Sequence, residues 1–220
     1  ISIFRFAIAT DRAESDPTQA CRGALKTRPV QHMTRISEKE LPELLRKMDA
    51  YDGEILTKLA MQFMALTFVR TGEMIGAEWS EIDREKAEWR IPAERMKMKV
   101  LHIVPLSHQA FSVLDELARH TGGKAYLFAS PRSAAKHMSN NTVLFALYRM
   151  GYHGRMTGHG FRGLASTILN EQGFRSDVIE RQLAHSERDS VRAAYNHAEY
   201  LPERRKMMQY WADFLDSQRL

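Results

Sequence analysis

The sequence predicts an α+β domain that is predominantly α-helical and carries one small antiparallel β-sheet. Apolar residues recur at helical spacing along most of the chain, and the period shortens between Trp79 and Leu106. No internal repeat appears, and 220 residues with 44% apolar content suit one domain plus a short appendage.

Residues 1–35 read differently from residues 36–220. Ile3, Phe4, Phe6 and Ala7 suggest the end of a helix, and Asp11 to Thr34 mixes Pro17, Gly23 and Pro29 with charges in the manner of a linker. The second stretch opens at Ser37, where Ser37-x-x-Glu40 forms a capping box ahead of Leu41, Leu44, Leu45 and Met48 on one helical face. A second helix with Leu56, Leu59, Phe63, Leu66 and Phe68 inward is expected to end near Gly72. Trp79, Ile82, Trp89, Ile91, Ile103 and Val104 then predict two or three short strands. The remainder is expected to be helical, with N-caps at Ser107, Ser139 and Ser176. The last helix starts at Pro202, a good first-turn position. It aligns Met207, Met208, Trp211, Phe214 and Leu215 as a stripe for its own core or for a neighbouring copy.

A formal charge of +5 and a pI near 9.4 suit a polyanionic partner, although many basic proteins bind none. The single cysteine, Cys21, excludes an internal disulfide framework and fits a reducing compartment. No apolar run is long enough to span a bilayer, and the first ten residues lack the pattern of a signal peptide. The chain begins with Ile, as a piece of a longer protein would.

Six residues carry candidate chemistry: Arg70, Lys97, His159, Arg162, His185 and Tyr195. Two guanidinium forks can hold a phosphodiester bidentately at any working pH, and a phenol is a competent nucleophile once activated. His159 and Arg162 sit about one helical turn apart, so both can face one ligand. Gly158 and Gly160 beside them would let backbone approach a phosphate. Blander readings stand beside these. Arg70 could serve a helix C-terminus, His185 a helix cap, and Lys97 a solvated turn with Lys99 as its rival. Metal binding competes at the histidines, but no carboxylate lies at ligand spacing beside His159 and Arg162. Glu73 is expected to orient Arg70. Arg132, Lys136, Arg149 and Arg155 are ordinary solvated charges or backbone-phosphate contacts.

The sequence around these residues resembles the tyrosine recombinases, or phage-type integrases, and most of all those of satellite phages and genomic islands. Phe68-Val69-Arg70-Thr71-Gly72-Glu73 through Asp83 is similar to the family's first-arginine box, and Met96-Lys97-Met98-Lys99 through Ser107 to its lysine hairpin. Gly158-His159-Gly160-Phe161-Arg162-Gly163 resembles the second box; Ile179-Glu180-Arg181-Gln182-Leu183-Ala184-His185 and Ala193-Ala194-Tyr195-Asn196 resemble the nucleophile segment. Two departures are Ala184, where many relatives have Gly, and Phe68, likewise in place of Gly.

The resemblance implies a recombinase catalytic domain over 36–220, preceded at 1–35 by the tail of a DNA-clamping core-binding domain and its tether. It implies that Tyr195 attacks a DNA phosphate held by Arg70, Arg162, His159 and His185. Lys97 would protonate the leaving 5′-oxygen; its register to Val104-Pro105-Leu106 favours it over Lys99. Tyr195 is preferred over Tyr200, at a turn, and Tyr210, beside an apolar helix face. No ATP, metal or other cofactor is expected. The implied partners are double-stranded attachment-site DNA, three further copies in a homotetramer, and accessory DNA-bending proteins. A bacterial cytoplasmic, nucleoid-associated location follows from the same likeness. A type IB topoisomerase and a non-catalytic, architectural DNA-binding protein are the alternatives.

Overall fold

The computed structural model describes residues 3–19, 34–185 and 200–219. The chain divides into two compact units, Ile1–His32 and Met33–Leu220. In the first, helix α1 (Ile3–Ala9) buries none of its side chains and is followed by turns at Thr10 and Asp16.

The second unit is built around α3 (Ile55–Thr67). Leu59, Ala60, Met61, Phe63, Met64, Ala65 and Leu66 are all buried, so the helix is wrapped by neighbours on nearly every side. Before it, Ser37 and Glu40 form the expected capping box, with Ser37 N donating to Glu40 Oε2 at 2.9 Å. The box starts a single 3₁₀ turn that runs into α2 (Leu41–Asp49), whose buried Leu41, Leu44, Leu45 and Met48 match the expected face.

The second helix stops earlier than the sequence suggested, at Thr67, and a short helix α4 (Thr71–Ile75) begins after it. The break falls at Phe68, which caps α3 in the left-handed conformation (φ 39°, ψ 36°). A non-glycine residue there costs roughly 1–2 kcal/mol. Phe68 offsets this by full burial with its ring edge-on to Trp211 at 6.0 Å.

Strands β1 (Ile82–Asp83), β2 (Glu88–Ile91) and β3 (His102–Pro105) form the expected antiparallel sheet in that order. Trp89 pairs with Ile82 on one side and Val104 on the other. It is wholly buried against Phe63 of α3, and its indole N–H donates to Glu81 at 2.9 Å. Ser107 caps α5 (His108–Thr121) as expected, its hydroxyl accepting from Ala110 N at 3.2 Å.

The expectation of helix throughout the remainder fails next, because β4 (Ala129–Ser130) and β5 (Ser133–His137) form a second, two-stranded hairpin. Helix α6 (Asn141–Leu147) is capped at Asn140 rather than Ser139, though Ser139 Oγ accepts from Asn141 N at 3.3 Å. It ends in a wide turn at Tyr148–Tyr152, where Gly151 takes φ 91°. Helices α7 (Gly160–Glu171) and α8 (Ser176–Gln182) follow. Ser176 is the first residue of α8, not its cap; its hydroxyl donates to Asn170 at 2.9 Å.

The last helix, α9 (Leu201–Ser217), buries Met207, Met208, Trp211 and Leu215 in its own unit, against α3, α5, α7 and α8. Trp211 Nε1 donates to Ala65 O of α3 at 2.8 Å. The apolar stripe therefore packs in cis.

Candidate active site

Arg70 is the N-cap of α4 and not the end of the preceding helix. Its carboxylate partner is Glu73, which accepts from Arg70 N at 2.9 Å and from Arg70 Nη1 at 2.6 Å. Glu73 is only 6% exposed, so this pair is a firm hold on the arginine at both ends. Arg95, missed in the sequence, fixes the far end of α4: its guanidinium donates to the carbonyls of Glu73 and Gly76 and to Glu81. Arg70 Nη2 reaches across to Ala184 O at 3.2 Å.

Arg162 lies in the first turn of α7 and is buried, at 2% exposure. Nη1 donates to Phe68 O at 3.0 Å, and Nη2 donates to Leu183 O at 2.6 Å and to His185 Nε2 at 3.3 Å. The acceptors are two carbonyls and an imidazole, and Nε has no partner among the described residues. Burial, then the repulsion of Arg70, lowers the guanidinium to about 10, so it stays a cation at neutral pH.

Both arginines thus grip the turn Leu183–Ala184–His185 that follows α8. Ala184 bends the chain there with φ 49°, a conformation that suits glycine better than alanine. His185 Nδ1 is 2.6 Å from Glu180 Oε2, a partner the sequence reading had not assigned. Its only sequence signal was a carboxylate little more than one helical turn before the histidine.

His159 caps α7 and is exposed. Although the residue is open to solvent, partial desolvation on its protein side, then the positive fields of Arg162, Arg70 and His185, holds its imidazole below the usual histidine range, which favours the neutral form. These shared fields mark Arg70, His159, Arg162 and His185 as one cluster. Gly158 and Gly160 also stand where a side chain would collide with protein. A Cβ on Gly158 would lie 2.6 Å from Thr71 Oγ1, and one on Gly160 2.6 Å from Met156 Sδ. Gly158 lets the segment leading into α7 close on Thr71 at the start of α4, and Gly160 lets the first turn of α7 close on Met156.

Lys97 lies, exposed, in the loop between β2 and β3, as expected. Its rival Lys99 has φ 54° and donates to Glu94 O at 2.9 Å within the same loop. Tyr195 lies outside the described residues. Tyr200 caps α9, and Tyr210 donates to Gln172 at 2.8 Å and packs on Phe174. Of the outlying cations, Arg149 donates to the Tyr51 hydroxyl and Arg155 to Glu40; Arg132 and Lys136 are exposed on the β4–β5 hairpin.

Residues 34–201 match the model of the phage integrase family. The chain belongs to that family. It is 45% identical to the integrase of Enterobacteria phage P4 across 99% of this chain and 53% of that protein. It is 42% identical to prophage integrase IntA of Escherichia coli K12, over 84% of this chain and 45% of the relative. The chain thus spans about half the length of the curated relatives it matches. Among solved structures, a lambda integrase dimer bound to a COC′ core site superposes with a TM-score of 0.62 at 20% identity, over 89% of this chain and 56% of that one. The integrase of mycobacterium phage Brujita superposes at 0.63 with 16% identity, over 99% and 73%. The fold is therefore that of the tyrosine recombinase catalytic domain.

Proposed function

We propose that the chain is the catalytic part of a site-specific recombinase that cleaves and rejoins DNA through a 3′-phosphotyrosyl intermediate. The observation that carries this reading is the grip of Arg70 and Arg162 on the one turn that presents His185. Arg162 is a buried cation with two carbonyls and an imidazole, and no carboxylate, as its hydrogen-bond partners among the described residues, so its charge remains available to an anion. A phosphodiester seated there would meet two guanidiniums and two imidazoles, and the charge that builds at phosphorus would be offset without reorganisation.

In this reading Arg70 and Arg162 bind the non-bridging oxygens, with His159 and His185 hydrogen-bonding beside them. The Tyr195 phenol gives up its proton to solvent, attacks phosphorus and displaces the 5′-oxygen, which takes its proton from Lys97. A 5′-hydroxyl of another duplex then attacks the phosphotyrosine and releases Tyr195. The adduct conserves the bond, so the cycle needs no external energy source. A homotetramer on two attachment-site duplexes fits the exchange, and the structures similar to this chain include a lambda integrase tetramer bound to a Holliday junction.

The test is covalent trapping on a nicked attachment-site duplex, with the full chain and its Tyr195→Phe variant run in parallel on a denaturing gel. An adduct lost in the variant and mapped to the Tyr195 peptide is the expected result. An adduct that survives Tyr195→Phe moves the nucleophile elsewhere. DNA binding without any adduct favours an architectural DNA-binding role. Relaxation of supercoiled DNA without strand exchange favours a topoisomerase.

A further inference from the structure

The two ring nitrogens of His185 face partners of opposite chemical kind. Nδ1 is 2.6 Å from Glu180 Oε2, and an ionised carboxylate can only accept. Nε2 is 3.3 Å from Arg162 Nη2, and a guanidinium can only donate. Only the neutral tautomer with its hydrogen on Nδ1 satisfies both contacts.

We propose that Glu180 is a positioning residue for His185: its carboxylate takes the Nδ1 hydrogen and turns Nε2 toward Arg162 and the phosphodiester that Arg162 would hold. The proposal rests on the reading of His185 as a phosphate-side group and adds what sets its orientation. The local geometry suits the task. Glu180 lies on α8, and the chain between it and His185 is fixed at three points: His185 N donates to Glu180 O at 3.1 Å, and the carbonyls of Leu183 and Ala184 are held by Arg162 and Arg70. With the backbone fixed, rotation about the His185 side chain is the remaining freedom, and the carboxylate removes it. An imidazole tied through one nitrogen presents the other in a defined direction, the logic by which outer carboxylates orient histidines elsewhere. Glu180 itself is half exposed, with 53% of its side chain accessible, so its removal leaves no buried vacancy.

Two measurements on the full chain test this. The first is the ring ¹⁵N spectrum of His185 at pH 8 without DNA, which reads the tautomer directly. A protonated Nδ1 and bare Nε2 are expected, with a shift toward the Nε2–H form in Glu180→Ala; a native Nε2–H ring overturns the proposal. The second is single-turnover cleavage in a double-mutant cycle of Glu180→Ala and His185→Ala. Glu180→Ala is expected to slow adduct formation roughly 10-fold or more in the native background, within the range for lost orienting partners, and less than about 2-fold once His185 is gone. Glu180→Asp, which keeps the carboxylate, is expected to recover part of the rate. Equal slowing in both backgrounds overturns the proposal, since Glu180 would then act independently of His185. If His185→Ala is slow while Glu180→Ala cleaves normally, only the part given to Glu180 falls. If His185→Ala itself cleaves at the native rate, the reading of His185 fails and the proposal with it.

Discussion

Gly158→Ala tests whether the closeness of α7 to α4 sets the geometry of the arginine pair. The added Cβ would lie 2.6 Å from Thr71 Oγ1 and 3.1 Å from Met64 Sδ. The first contact is roughly 0.8 Å short of ordinary van der Waals separation, so something must move. Met64 is fully buried in α3 and cannot give way easily. The displacement therefore falls on Thr71, the first residue of α4 and the neighbour of Arg70. Overpacking of this kind costs about 1–3 kcal/mol. A shift approaching 1 Å at a residue that positions substrate can cost on the order of 100-fold in rate. Gly158→Ala is thus expected to lower the denaturation midpoint modestly and to slow phosphotyrosine formation far more. Single-turnover cleavage of a nicked duplex and urea unfolding read the two effects separately. The double variant Gly158→Ala/Thr71→Ala removes the clashing hydroxyl and is expected to recover most of the rate. Native cleavage by Gly158→Ala alone, or no recovery in the double variant, would refute the reasoning.

Ala184→Gly relieves a left-handed alanine at φ 49°, and should raise stability by up to about 1 kcal/mol in urea unfolding; a loss of stability would mean that the turn is held without strain. The pH dependence of stability gives a second check. His102 is 4% exposed, and burial, followed by Arg204, Arg181 and Arg162, holds its imidazole well below the usual histidine range. Below about pH 6.5 the unfolded chain binds a proton that the folded chain refuses, so stability falls as the pH drops, by up to about 1.4 kcal/mol per unit for this group. Unfolding of His102→Gln between pH 7.5 and 5 should show a flatter dependence, and an unchanged slope would remove His102 as the cause.

Helix faces and caps were legible because their signals are local. Ser37 and Glu40, Ser107, and the stripe from Met207 to Leu215 need only residues one turn apart to be recognised. The β4–β5 hairpin was not legible, since Ala129-Ser130 and Ser133-Ala134-Ala135-Lys136-His137 have neither β-branched residues nor alternation to oppose a helical reading. The break at Phe68 was hidden for a related reason. A bulky aromatic in the left-handed region contradicts propensity, and only its burial against Trp211 makes it tolerable. Within the site, residue types and spacing pointed to the cations, but not to their supports. Carbonyls of Phe68, Leu183 and Ala184 leave no trace in a sequence, and Arg95 and Glu180 read as ordinary surface charges.

Arg204 belongs with these hidden supports, and it explains how segments distant in the chain keep one register. It is fully buried in the first turn of α9. Its Nε and Nη2 donate to Gln182 Oε1 at 3.1 and 2.7 Å, and Nη2 also donates to Ile103 O. Gln182, itself fully buried, directly precedes the turn gripped by Arg70 and Arg162, and its amide lies 3.4 Å from Thr67 O at the end of α3. Ile103 lies on the strand that leads out of the Lys97 loop. A guanidinium taken out of water is costly, by several kcal/mol, unless its hydrogen bonds are made. Those bonds can be made only when α8, β3 and α9 are all in place at once, and the Gln182 amide extends the tie to α3. An apolar side chain of the same volume would pack there without that demand. The buried arginine therefore ties the placement of the cation cluster to the docking of the last helix, downstream of all six candidate residues.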